Sequence, residues 1–319
     1  MRELYMSETL TSAPIGEHRA PATVGVIGLG LMGASCVARL RGAGFEVIGY
    51  DIDTSAGARG GLPPAQCAAT IAEIAARCDC CVIAVFNTAQ VEQVLIGAHG
   101  LVEARASERG RSPMAAISIS TCDPDAIAAL AARLPAAQIE FIEAPISGTS
   151  QQFIAGDGLG LIAGTDRAVA RVAPVLDAMV PKRHRVGVPG DGGRAKLAIN
   201  LMLGINRAAL AEGLVFAERM GLDPTAFLAV ARDSAAYSQI MDVKGAKMIA
   251  ADFTPHGKVT QSLKDFSLML AQARRLGQRL PLGETYAALM QGCVEHGESD
   301  FDNGAVINEV RRRRGVPAA

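Results

Sequence analysis

The chain has no tryptophan and few aromatics of any kind, with four tyrosines and nine phenylalanines in 319 residues. Readers of single-stranded nucleic acid stack bases on aromatic side chains, so this scarcity argues against that class. Charge of one sign is also lacking: 31 Lys and Arg face 32 Asp and Glu, for a formal net charge of −1. Such balance offers no general attraction for a phosphate backbone, and no nucleic-acid partner is expected. The one basic run, Arg311–Arg314, reads as the solvated end of a helix. Seven cysteines form no paired framework, which excludes a disulfide scaffold and implies reduced thiols in the cytoplasm. Cys80 and Cys81 open an apolar run. Strand neighbours face opposite ways, so these two read as buried thiols rather than as a metal site. His18, His99, His184, His256 and His296 are scattered without ligand spacing, and no metal is expected. Residues 1–22 lack the apolar stretch of a signal peptide and read as a loose arm. No apolar run reaches the length of a membrane span, so no membrane partner is expected.

Apolar residues are plentiful: half of the chain is hydrophobic, enough for two domains with large cores. The most informative stretch is Gly28-Leu29-Gly30-Leu31-Met32-Gly33. A strand, Thr23–Ile27, precedes it. A helical segment, Met32–Ala43, follows and stops at Gly44, and a second strand, Phe45–Tyr50, ends in Asp51. Within a βαβ unit these glycines permit a tight turn, close approach of backbone N–H groups to a pyrophosphate, and close packing of helix on strand. The helix N-terminus adds partial positive charge. Gly28, Gly30, Leu31, Met32 and Gly33 are therefore candidate dinucleotide contacts. Asp51 stands where a carboxylate accepts from an adenine ribose and repels a 2′-phosphate, which favours NAD over NADP. Arg59 is the nearby cation that would upset this preference if its loop folded back.

Strand alternates with helix from Thr23 to about Gly187. Further strands are read at Cys80–Phe86, Ala115–Ser118, Ile139–Ala144, Gly158–Ala163 and His184–Val188. Thr70-Ile-Ala-Glu73 reads as a capping box, and Asp123-Pro124 as a helix cap with proline at the first helical position. This alternation predicts an α/β, doubly wound parallel sheet with helices on both faces. After Gly190-Asp-Gly-Gly193 comes a long helical stretch, Arg194–Met220, closed by Gly221. It is apolar on nearly every side, which predicts a central helix buried all round between domains or subunits. Asp223-Pro224 caps another helix, and the rest reads as helical to about Val310. The expected division is an arm at 1–22, a nucleotide-binding domain at 23–188 and an all-helical domain at 189–319.

Four patches outside the glycine fingerprint carry chemistry. Glu143-Ala-Pro-Ile-Ser147-Gly148-Thr149 follows a strand at the ligand side of the sheet. There the Ser147 hydroxyl and the N–H groups of Gly148 and Thr149 could bind a carboxylate. Lys196 and Asn200 are four residues apart and share one helix face. Burial and the helix N-terminus both disfavour a charged amine there, moving Lys196 toward use as an acid or base. Lys264-Asp265 lies within a helix of the second domain, where a solvated pair is the ordinary reading. Asn87-Thr88 and Ser120-Thr121 end two successive strands and read equally as helix caps or as cofactor-side loops.

Together, Gly28-Leu-Gly30-Leu-Met-Gly33, Ala144-Pro-Ile-Ser147-Gly148, Gly190-x-Gly192-x-x-x-Lys196-x-x-x-Asn200 and Lys264-Asp265 resemble the β-hydroxyacid dehydrogenase family, which holds 3-hydroxyisobutyrate dehydrogenase, tartronate semialdehyde reductase and threonate dehydrogenases. The resemblance spans about residues 23–310. It implies a Rossmann-type domain and an all-helical domain joined by a long helix, and reversible hydride transfer between NAD and a small 3-hydroxy carboxylic acid. It further implies Lys196 as general acid/base. Ser147, Gly148, Thr149 and Asn200 would lie around the substrate, and Asn87, Thr121 and Lys264 near the cofactor. A homodimer or homotetramer through the helical domain is also implied. Three positions depart from the family pattern: Thr149 for a second glycine, Ile199 for the first of paired asparagines, and Gly304 for a serine. Rival readings are a reductase of another carbonyl or imine on the same scaffold, which usually lacks this lysine, and a non-catalytic dinucleotide sensor.

Overall fold

A computed structural model describes residues 23–108 and 110–313. The expected N-terminal arm, His18 and Arg314 lie outside the described residues. Eight strands form one sheet: β1 (Thr23–Ile27), β2 (Glu46–Tyr50), β3 (Cys80–Ile83), β4 (Met114–Ser118), β5 (Ile139–Glu143), β6 (Ile146–Ser147), β7 (Leu159–Ala163) and β8 (Arg183–Gly187). Their order is β2-β1-β3-β4-β5-β7-β6, with β8 paired to β7. The first five are parallel. Strand β7 then runs antiparallel to β5 and to β6, and parallel to β8. The expected all-parallel sheet thus carries a reversed edge, and the two-residue β6 is too short to leave a periodic trace in sequence. Buried residues pack on both faces. Cys80 belongs to the cluster with Val24 and Val37, whereas Cys81 belongs to the opposite cluster with Ile27 and Ile74. All seven cysteines are free thiols, and all but Cys67 are buried.

The chain leaves the sheet at Gly187 and enters a 29-residue helix, Asp191–Arg219. Helices Val259–Arg275, Pro281–Glu295 and Val306–Arg312 pack against it around a core that includes Leu197, Leu210, Phe266 and Tyr286. Within the single chain the long helix is buried along one side only. Lys196, Leu197, Gly204, Arg207 and Leu210 face inward, but Met202 and Phe216 remain 59% and 64% exposed in the single chain. By length and composition this helix is also apolar enough to cross a membrane, contrary to the reading that no run is long enough. The basic run at the C-terminus is corrected as well. Arg311 pairs with Glu218, Arg312 with Glu298, and Arg313 donates to the Ala288 carbonyl oxygen, so these three tie the last helix down rather than coating a solvated end.

Local chemistry explains the element boundaries that frame the cavity. Asp123 Oδ1 accepts from the N–H groups of Asp125 and Ala126 at 3.0 and 3.1 Å, starting the helix at Pro124. Thr70 Oγ1 accepts from the Glu73 N–H at 3.2 Å, while the Glu73 carboxylate reaches Ala69 rather than Thr70. The predicted capping box is therefore half formed and displaced by one residue.

Candidate active site

The turn after β1 places three glycines in three different surroundings. Gly28 has φ +91°, a conformation open to glycine. A Cβ on Gly33 would lie 1.9 Å from the Gly28 carbonyl oxygen, so helix and turn meet only because Gly33 has no side chain. A Cβ on Gly30 would meet nothing within 4 Å. Gly30 begins the helix Leu31–Gly42 without a side-chain cap, so the N–H groups of that first turn are left for an acceptor from outside. At the end of β2, Asp51 accepts from Leu29 N–H at 2.6 Å and from Asp53 N–H at 2.9 Å. That fixes its carboxylate beside the turn. Arg59 donates to Asp53 at 2.6 Å and also to Ser55. Its charge is thereby matched within its own loop. An uncapped helix start, open space beside Gly30 and a fixed acid at β2 suit a dinucleotide.

One cavity of about 1690 Å³ runs from this turn to the long helix. Gly28, Gly30, Leu31, Met32, Asp51, Thr121, Ser147, Gly148, Thr149, Lys196, Asn200 and Lys264 all line it. Gly33 lies behind the turn, as its contact with Gly28 requires. Asn87 does not line the cavity. Its side-chain oxygen accepts from Gln90 N–H at 2.9 Å and caps the helix Thr88–Ile96, the capping alternative of the sequence reading.

Lys196 is 7% exposed. Its Nζ donates to the Ile146 carbonyl oxygen at 2.7 Å, which aims the amine at the loop carrying Ser147. Burial lowers its pKa from 10.5 to about 8, Asp265 opposes this, and the Lys264 and Arg207 cations reinforce it. One turn on, Asn200 Nδ2 donates to Asp265 Oδ2 at 2.9 Å. Asp265 also lies 3.1 Å from Lys264 Nζ. Lys264 in turn donates to the carbonyl oxygens of Phe86 and Thr121, at 2.9 and 2.7 Å. Thus Asn200, Asp265 and Lys264 form a chain of polar contacts that ends on the loops after β3 and β4.

The substrate-side loop differs from expectation at Thr149. Its N–H donates to Gln152 Oε1 at 2.9 Å, and its Oγ1 accepts from Gln152 N–H at 3.2 Å. Both groups are consumed by a capping box for the helix Ser150–Ala155. Ser147 and Gly148 remain as the polar wall opposite Lys196.

Several residues that shape the site had no assigned role in the sequence reading. Glu143 is 1% exposed and accepts from Gly190 N–H at 2.7 Å. Burial raises its pKa, and the backbone N–H groups of Gly190, Gly193 and Gly192 pull it back. The glycines before Lys196 therefore make room for a carboxylate at the start of the long helix. Lys244 and Asp302, each 1% exposed by side chain, form a buried pair at 2.7 Å. Asp302 also accepts from the N–H groups of His256 and Gly304. These contacts hold its carboxyl below the usual range despite burial. The only advance signal for these groups is that a charge recurs among apolar residues; their partners are distant in sequence.

Two family descriptions match the chain: the NAD binding domain of 6-phosphogluconate dehydrogenase over residues 23–187, and NAD-binding of NADP-dependent 3-hydroxyisobutyrate dehydrogenase over residues 190–310. L-threonate dehydrogenase of Escherichia coli strain K12 is 32% identical over 289 residues, covering 89% of this chain and 93% of that protein. 2-Hydroxy-3-oxopropionate reductase of the same strain is 31% identical over 289 residues, covering 90% and 96%. The crystal structure of 3-hydroxyisobutyrate dehydrogenase from Salmonella typhimurium superposes with a TM-score of 0.79 at 29% identity, covering 90% of this chain and 99% of that one.

Proposed function

The chain belongs to the β-hydroxyacid dehydrogenase family, and from that premise we propose that Lys196 is the proton acceptor in the oxidation of a small 3-hydroxy acid. The protein is an NAD(P)-dependent hydroxyacid dehydrogenase of Rossmann-plus-helical fold. The observation that carries the assignment is the Lys196 amine: buried, shifted to about 8 and held against the substrate-side loop at Ile146.

A bound nicotinamide would supply the hydride acceptor for the carbon bearing the hydroxyl. In that direction neutral Lys196 takes the hydroxyl proton; in reduction its ammonium returns a proton to the carbonyl oxygen. The Ser147 hydroxyl and the Gly148 backbone hold the substrate carboxylate. Asn200, steadied by Asp265, orients the reacting hydroxyl. Gly28, Gly30, Leu31, Met32 and Asp51 hold the dinucleotide, and Lys264 spans the cavity from the helical side to the cofactor loops. Fixed positioning of this kind replaces freedom that a bimolecular encounter would have to lose. Asp51, with Arg59 already paired to Asp53, favours NAD over NADP. The names of the two Escherichia coli relatives support threonate or tartronate semialdehyde and its alcohol as substrates. Exposed Met202, Phe216 and Met220 on one helix support a homo-oligomer through that face. The free thiols support a cytoplasmic setting.

A spectrophotometric screen of threonate, glycerate, 3-hydroxyisobutyrate and other small hydroxy acids with NAD and NADP tests this reading. Growth of the reduced-cofactor absorbance with at least one of them, faster with NAD, is expected. Silence across the panel in both directions would overturn it.

A further inference from the structure

Arg207 lies on the long helix, on the same face as Lys196, Asn200 and Leu203, and all four line the cavity. It is 8% exposed. Three other cavity cations of the helical domain have carboxylate partners: Lys264 has Asp265 at 3.1 Å, Lys244 has Asp302 at 2.7 Å, and Lys258 has Asp300 at 2.6 Å; Lys196 donates to a backbone carbonyl instead. Arg207 has no carboxylate partner among the described residues, and its Nε makes no hydrogen bond. Its one polar side-chain contact is Nη1 donating to the Tyr286 hydroxyl, with the guanidinium 5.9 Å from the centre of that ring.

A buried guanidinium without an anion is costly, because its lost hydration is not replaced. The surroundings also hold it in one place. Tyr286 packs on Phe266 with ring centres 4.3 Å apart. A Cβ on Gly204 would lie 2.4 Å from Phe266 and 3.1 Å from Tyr286. The tyrosine that receives Arg207 therefore lies beside the preceding turn, nearer to Lys196. Helical side chains lean toward the N-terminus, which agrees with the guanidinium reaching back. The cation is close enough to Lys196 to disfavour its protonation.

We propose that Arg207 receives a second anionic group of the substrate, a carboxylate or phosphate at the end remote from the reacting carbon. This rests on the hydroxy-acid reading above and ranks dianionic hydroxy acids above monocarboxylates such as threonate and glycerate as substrates. The first carboxylate lies at Ser147 and Gly148, the reacting carbon at Lys196, and the second anion against Nε and the free face of the guanidinium.

The test compares a 3-hydroxy monocarboxylate with a dicarboxylate and a phosphate ester of matched length. The dianions are expected to have kcat/KM higher by about 10- to 100-fold, the range of a charged hydrogen-bonded pair, mainly through KM. Arg207→Gln is expected to bring that ratio close to one. The carboxylate and phosphate arms identify which anion the site prefers. A second measurement does not need turnover: calorimetric titration of the NADH-loaded protein with glutarate against butyrate. Glutarate is expected to bind more tightly, and the difference should vanish in Arg207→Gln. If that variant does not fold, Tyr286→Phe, which removes the hydroxyl steadying the guanidinium, is expected to reduce the same ratio. A monocarboxylate preferred by the unaltered protein, or a ratio and glutarate affinity untouched by both substitutions, would overturn the proposal. Silence of the hydroxy-acid panel with tight glutarate binding would instead refute the reaction and keep the anion site.

Discussion

Gly190 donates its N–H to Glu143 Oε2 over 2.7 Å, joining the end of β5 to the first turn of the long helix across 47 residues. A Cβ on Gly192 would lie 2.9 Å from the Glu143 carboxyl carbon, and one on Gly193 would lie 3.0 Å from Oε1. The carboxylate thus supplies the negative charge that a helix start favours. Glu143→Gln places an amide NH₂ among N–H donors. It is expected to lower stability by about 1–3 kcal/mol, read as a lower Tm in thermal unfolding.

Gly30→Ala and Gly33→Ala are expected to fail in opposite ways. Alanine at Gly33 would place Cβ 1.9 Å from the Gly28 carbonyl oxygen. That overpacking is expected to lower stability by about 1–3 kcal/mol or more. Alanine at Gly30 meets no protein atom within 4 Å and keeps the fold, but enters the space left for the pyrophosphate. Thermal unfolding and NADH titration on both variants separate the two. A large Tm loss in Gly30→Ala would count against that open space.

Lys196 titrates at about 8, and the sign of its effect differs between the two directions. Oxidation needs the neutral amine, so kcat/KM should rise about tenfold per pH unit below that value and level above it. Reduction needs the ammonium and should decline above it. Lys196→Met should lower kcat in both directions by about 10²- to 10⁴-fold while NADH still binds.

The same amine affects folding. Its pKa falls from 10.5 in the unfolded chain to about 8 in the native one. Between these values the unfolded state binds more protons, so stability rises with pH across that window. Below about 8 the cost of the buried charge is present in full. Denaturant titrations at several pH values should show the slope, and Lys196→Met should flatten it.

Asp51→Ser should weaken use of NAD about tenfold through the lost ribose contact and relieve the exclusion of a 2′-phosphate. The ratio of kcat/KM with NAD to that with NADP should fall. An unchanged ratio would assign the preference to the Asp53–Arg59 loop.

The glycine fingerprint, Asp51 and the Lys196–Asn200 spacing were legible in sequence because each acts through local geometry: a turn, a strand end, one face of a helix. Asn87 and Thr149 were ambiguous for the same reason. A polar residue after a strand can cap the next helix or face the cavity, and here the N–H groups of Gln90 and Gln152, three residues on, donate to Asn87 and Thr149 and draw both into capping. The role of Glu143 was hidden because its partner lies beyond β7 and β8, and Arg207 was hidden because its lack of an anion is a property of the packed helices. Strand β7 comes back antiparallel only after the short helix Ser150–Ala155, whereas β6 continues the direction of β5, and its two residues carry no readable period. The long helix looked buried all round because its apolar residues number the same whether they meet this chain or another.

The cavity-facing row on that helix has a consequence for how substrate choice could change. Each residue advances the helix by about 1.5 Å, so the turn that carries a cation sets its reach from the reacting carbon. Leu203 occupies the preceding turn and also faces the cavity. Placing the guanidinium at position 203 instead of 207 would move its point of attachment about 6 Å along the axis toward Lys196 and favour a shorter acid without altering a loop. Chain-length preference is then a matter of register on a rigid rod, open to change by a pair of substitutions.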